Sequence, residues 1–112
     1  MTDSSPVLAQ LMQVIAERKV HRPANSYTTK LFDGGAAVIG GKITEEAAEV
    51  VEAAEELGDP GHHHLVREAA DLIYHLLVLL ASRDVGLDEV EAELARRFGI
   101  SGLDEKASRK QK

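Results

Sequence analysis

The sequence predicts an all-α fold, a helical bundle of about four helices. Three observations carry that expectation. Aromatic residues make up only 4 % of the 112 positions and Trp is absent, so alanine and aliphatic side chains must do the packing, a mix that favours helices. Four separate stretches place apolar residues at three- and four-residue spacing. No stretch alternates apolar and polar residues as a half-buried strand would, and there is no internal repeat. The length suits one small domain, so residues 1–112 read as a single all-α unit with residues 1–6 and 110–112 fraying at its ends.

The first helix is expected from Pro6 to near Val20, with Ser5 as its cap and Leu8, Leu11, Met12 and Ile15 as its buried stripe. "HRPANS" follows as a loop. "SYTTKLFDGG" reads equally as a short helix or an ordered loop. The next helix is expected over 36–57, ended by Gly58 with Asp59-Pro60-Gly61 behind it. A third helix is expected from His63 to Arg83. A fourth runs from Leu87 to Phe98, with Asp88 and Glu91 at capping-box spacing, Gly99 as its stop and Leu87, Val90, Leu94 and Phe98 as its buried stripe.

Composition narrows the chemistry. Without cysteine there is no disulfide scaffold, no thiolate zinc site and no cysteine nucleophile. The N-terminus lacks the pattern of a secretory signal, and the longest strongly apolar run, Leu76–Ala81, is too short to span a bilayer, so a cytoplasmic protein without membrane contact is expected. A net charge of -6 argues against nonspecific nucleic-acid binding. Six of the thirteen basic residues fall in the last seventeen positions, which sets a basic end beside an acidic middle.

That acidic middle holds six glutamates between Glu45 and Glu56 and no Lys or Arg. At 100° per residue they separate. Ile43, Ala47, Val50, Ala54 and Leu57 share an apolar face, while Glu45, Glu52 and Glu56 lie on the far side with Glu55. Glu46 falls at the edge of the apolar stripe, with Lys42 and Glu49 on the same flank. The third helix is apolar around nearly its whole circumference, yet Glu68, Asp71 and His75 sit within a wedge of about 60°. Buried carboxylates need a proton, a cationic partner or a metal. Placed side by side, Glu46-x-x-Glu49 and Glu68-x-x-Asp71 form a cage of four carboxylates suited to a hard cation, with Mg²⁺ the usual candidate beside phosphate. Salt bridges to arginines elsewhere are the competing reading. "GHHH" at 61–64 reads as a solvated loop whose histidines diverge. His75 reads equally as a hydrogen-bonded core histidine or as part of a site. Lys42 can reach a phosphate or pair with Glu46.

"KITEEAAEVVEAA", "EAADLIYHLLVLL" and "RRFGISGLDEKASR", preceded by "SYTTKLF", resemble the phosphoribosyl-ATP pyrophosphohydrolases of histidine biosynthesis over about residues 8 to 109. The E-x-x-E and E-x-x-D pairs alone are shared with the wider all-α NTP pyrophosphatase (MazG-like) superfamily. "DLIYH" and "SGLDEKASR" narrow the likeness to the histidine enzymes. The resemblance implies hydrolysis of phosphoribosyl-ATP to phosphoribosyl-AMP and pyrophosphate, with Mg²⁺ bound by Glu46, Glu49, Glu68 and Asp71. It also implies a homodimer whose shared bundle completes the core, which would cover the all-round apolar third helix. The chain looks like the form not fused to a zinc-dependent cyclohydrolase.

Within that resemblance Glu46 or Glu49 is the expected base toward water and Lys42 contacts phosphate. Arg97, Lys106 and Arg109 are expected to hold the substrate's phosphates, and Tyr27, with Ser26 and Thr28, the purine or ribose. Two alternatives stand beside it: a housekeeping NTP pyrophosphatase with the same acids, and a non-enzymatic helical dimerisation module.

Overall fold

A computed structural model describes residues 7–99, and every described element is helical. The helices are α1 (Val7–His21), α2 (Tyr27–Ala54), α3 (Gly58–Ser82) and α4 (Leu87–Phe98). The expected caps Ser5 and Pro6, and "ISGLDEKASRKQK" with Lys106 and Arg109, lie outside the described residues.

"SYTTKLFDGG" is helical. Ser26 caps it, its hydroxyl accepting from the Thr29 N–H at 3.3 Å. α2 is two helical segments joined at a kink, the second beginning at the expected position 36 and stopping at Ala54, short of the expected 57. Gly35 adopts φ 76° and ψ -171°, a region open in practice only to glycine, and breaks α2 into arms 27–34 and 36–54. Tyr27 and Glu46 lie nineteen residues apart, about 28 Å along an unbroken helix. Both nevertheless bond to one imidazole, that of His75. The bend at Gly35 therefore folds the two arms back toward the same point on α3.

Gly58 does not end α2. The helix stops at Ala54, and short bonds from Glu55 N to Glu52 O and Glu56 N to Ala53 O close its last turn. Gly58-Asp59-Pro60-Gly61 instead forms the first turn of α3. Pro60 is tolerated there because first-turn N–H groups have no intrahelical acceptor. Gly61 is required by contact: a Cβ would sit 2.5 Å from the Glu56 carbonyl oxygen, where the end of α2 crosses the start of α3. The three histidines consequently sit on α3 rather than in a loop. In α4 the capping residues are Gly86 and Glu89, whose carboxylate accepts from the Gly86 N–H at 3.0 Å, and not Asp88 and Glu91.

The core gathers Ile15 of α1, Leu31, Phe32 and Ile39 of α2, and Leu77, Val78 and Ala81 of α3. Leu11, Met12, Ile43, Tyr74, Leu79, Leu80 and Leu87 pack around it. The most extensive contact is between α2 and α3, which run antiparallel, while α4 touches the rest only marginally. Two expected stripes are covered only in part: Ile43 and Val50 of α2 and Leu87 and Val90 of α4 are partly buried, but the rest are not. Leu57 is 89 % exposed and Ala47 and Ala54 face outward, because the inward line of α2 runs through Ile39, Glu46 and Ala53 at seven-residue spacing. On α4, Leu94 and Phe98 are exposed and nothing is fully buried. No described helix is long and apolar enough to cross a membrane.

Candidate active site

The antiparallel packing of α2 on α3 sets Glu46 opposite His75, Glu49 opposite Glu68 and Glu56 opposite His64. Both pairs of acids expected from the sequence therefore come from the facing helices. Their environments differ more than the pattern suggested.

Glu46 is the buried acid, only 9 % exposed, and lies in the centre of the α2–α3 contact rather than at its edge. Its Oε1 accepts from His75 Nδ1 at 2.6 Å. That nitrogen also lies 2.9 Å from the Asp71 carbonyl oxygen. Facing two acceptors, Nδ1 must carry the hydrogen. In the neutral ring Nε2 then accepts from the Tyr27 hydroxyl at 2.8 Å. Tyr27 stacks on Tyr74, with ring centres 6.3 Å apart, and Tyr74 meets the His75 ring edge-on at 4.9 Å. Thr28 bonds the Tyr74 hydroxyl. Burial raises the Tyr27 pKa above its ordinary value, with Lys42 opposing and Tyr74, Glu46 and Asp71 reinforcing the shift. The phenol accordingly stays protonated and able to donate.

Glu49 and Glu68 form the second cluster. Glu49 faces solvent, and a hydrogen bond to the Glu68 carboxyl holds its pKa above the usual carboxylate value, reinforced by some desolvation and by the charges of Glu68, Glu45 and Glu46. Glu68 is largely covered and lies 3.2 Å from His64 Nε2, whose Nδ1 is 2.9 Å from Glu56. This i,i+4 pairing of His64 with Glu68 follows from spacing alone, since both fall within the helix expected from His63. Asp71 is exposed, so only one of the two α3 acids is shielded from water. Lys42 lies 3.7 Å from Glu45, not Glu46.

The donor set fits a hard divalent cation in chemistry: carboxylate oxygens from two facing helices, with Glu49 and Glu68 so close that like charge must be relieved by a proton or a cation. Among the described residues, however, no three acidic or histidine side chains converge in a ligating cluster. Glu46 stands paired with His75, and Glu68 with His64 and Glu49. Of the basic residues expected at the substrate, Arg97 lies on exposed α4, bonded to Glu93 at 2.8 Å together with Arg96. Lys106 and Arg109 lie outside the described residues. Two apolar grooves among the described residues lie between α1 and the α3–α4 connection, and neither is lined by any of these acids.

His75, which shares the wedge of Glu68 and Asp71 and reads in sequence equally as core or as site, is buried with a partner at each ring nitrogen. An aromatic side chain on an apolar helix gives no sign in sequence of what faces it, and only the fold brings Glu46 and Tyr27 to its two nitrogens.

The family model for phosphoribosyl-ATP pyrophosphohydrolase matches residues 8–98. A phosphoribosyl-ATP pyrophosphatase of Rhodopirellula baltica is 56 % identical over 109 residues, 97 % of this chain and 91 % of that protein. Proteins of the same name from Paramagnetospirillum magneticum and Methylococcus capsulatus are 51 % and 49 % identical; the former aligns over the whole of both chains, the latter over 93 % of this chain and 96 % of its own.

Proposed function

The chain belongs to the phosphoribosyl-ATP pyrophosphohydrolase family, and on that premise we propose that it hydrolyses phosphoribosyl-ATP to phosphoribosyl-AMP and pyrophosphate in histidine biosynthesis. The observation that carries the reading at the level of chemistry is the meeting of Glu49 and Glu68 across α2 and α3, with Glu46 near enough to act on the charge of Glu49. Four acids on two facing helices make a place for Mg²⁺, held by Glu46, Glu49, Glu68 and Asp71. When bound, the cation supplies charge neutralisation and Lewis acidity at the phosphate oxygens.

The remaining roles fall to side chains. Glu49 is the base toward the attacking water, because its carboxyl faces solvent while Glu46 Oε1 is engaged by His75. Attack on the α-phosphorus displaces pyrophosphate, and no protein nucleophile is needed. Lys42, half-exposed beside Glu45 and close enough to Tyr27 to act on its charge, approaches the triphosphate. Tyr27 presents its exposed ring to the nucleoside end. Arg97, Lys106 and Arg109 are the basic residues that bind the substrate's phosphates. The enzyme works as a homodimer, supported by the apolar side chains that α3 and α4 leave uncovered.

Pyrophosphate release from phosphoribosyl-ATP, measured with and without Mg²⁺ and beside ATP and deoxynucleoside triphosphates, tests the proposal. Mg²⁺-dependent turnover strongly favouring phosphoribosyl-ATP is expected. Comparable kcat/KM for ordinary triphosphates would assign the chain to housekeeping hydrolysis instead.

A further inference from the structure

We infer that His75 is a positioning residue for this reaction, joining a cation-facing carboxylate, Glu46, and a substrate-facing phenol, Tyr27, into one unit. The inference rests on the function proposed above. Its basis is geometric. His75 is 5 % exposed and Glu46 9 %, so neither group is satisfied by bulk water. Each needs a partner with defined geometry, since an unpaired buried carboxylate costs several kcal/mol. The ring provides it at both ends. Nδ1 donates to Glu46 Oε1 at 2.6 Å and its tilt is fixed by the Asp71 carbonyl at 2.9 Å. Nε2 holds the Tyr27 hydroxyl at 2.8 Å.

Two consequences follow from which atoms are used. Occupying Oε1 turns Glu46 so that Oε2 is the oxygen left for a cation, the arrangement by which outer partners orient ligating carboxylates. The Tyr27 phenol, anchored at its oxygen, leaves its ring face half-exposed at the mouth of the site. The two ends arrive on different arms of α2, so the imidazole also pins those arms together across the Gly35 bend.

The two nitrogens can be separated by substitution. The amide nitrogen of Asn falls near the place of Nδ1, and that of Gln near Nε2. His75→Asn therefore preserves the bond to Glu46 and loses the one to Tyr27, while His75→Gln does the reverse. Mg²⁺ binding is read by calorimetry on the full chain without substrate, and kcat and KM are read by pyrophosphate release. Expected is Mg²⁺ binding weakened about 10–100-fold in His75→Gln, the usual consequence of losing an outer-shell partner. His75→Asn should bind Mg²⁺ like wild type but show a raised KM for phosphoribosyl-ATP, matching Tyr27→Phe.

Wild-type Mg²⁺ affinity in His75→Gln overturns the inference, as does equal weakening in both variants, the mark of a histidine that merely fills space. Should His75→Gln fail to fold by circular dichroism, His75→Asn decides by the same two readouts. Glu49→Gln separates this from the underlying function. If wild type and Glu49→Gln both bind no Mg²⁺, the cation site itself falls and this inference with it. If Glu49→Gln loses the cation while His75→Gln keeps it, only the role of His75 falls.

Discussion

At the scale of residues, six glutamates of similar appearance in the sequence have separate fates. Glu45, Glu52 and Glu55 face water, Glu56 pairs with His64, Glu49 meets Glu68, and Glu46 is buried against His75. The acids proposed to hold the cation are the ones whose substitution is informative. Glu49→Gln and Asp71→Asn should each lower Mg²⁺-dependent pyrophosphate release on the order of 100-fold, the scale on which losing one preorganised electrostatic group acts. Both acids are exposed, so circular dichroism should stay at the wild-type helix content. Full activity in either variant would remove that acid from the site. The i,i+3 spacing of these acids was legible because helical periodicity maps position to face. Which acid would be buried was not, since that depends on how α2 rolls against α3: the roll puts Ile39, Glu46 and Ala53 inward and leaves Ala47, Ala54 and Leu57 out.

At the scale of elements, the bend in α2 decides whether Tyr27 reaches His75. Gly35→Ala must either hold an alanine at φ 76° and ψ -171° or straighten the helix. The first costs about 1–3 kcal/mol; the second draws Tyr27 away from His75. A lower urea midpoint is expected in either case, with a raised KM if the arm moves. An unchanged midpoint and unchanged kinetics would show that the bend is dispensable. On α4, the hydrogen bonds from Arg96 and Arg97 lower the Glu93 pKa below its ordinary value. A lowered folded pKa contributes stability that is present above the unfolded pKa and lost as pH falls through the folded one. The difference in urea midpoint between wild type and Glu93→Gln should accordingly be small at neutral pH, because these groups are exposed, and vanish in acid. A difference that grows on acidification would contradict the assignment.

At the scale of the whole molecule, one chain leaves much of its apolar surface uncovered. Its radius of gyration is 16.9 Å, against roughly 13 Å for a compact chain of this length. Val66, Ile73 and Leu76 lie exposed at helical spacing along α3, and Phe98 is 67 % exposed on α4. Faces of this kind mark contact surfaces. Sedimentation equilibrium should return twice the chain mass of 12.1 kDa. The double substitution Ile73→Glu and Leu76→Glu should shift the protein toward monomer; a dimer that persists would place the interface on another face. Saturating Mg²⁺ should raise the melting temperature of wild type and not of Glu49→Gln, because a ligand stabilises only the state that binds it.

The helical class, the span of α4 and the presence of two acid pairs on neighbouring helices are legible in the sequence. These depend on local periodicity and on composition, which act within a few residues. Tertiary structure decided the rest. "GDPG" reads as a stop, yet it opens α3, because Gly61 lets the new helix press on Glu56. "SYTTKLFDGG" reads equally as a short helix or a loop, and the structure makes it a helical arm that Gly35 turns against 36–54. His75 reads equally as core or as site, and the packing makes it both, buried and bonded at each nitrogen. Those outcomes depend on groups far apart in the chain meeting at a few ångströms, and no local pattern encodes the partner.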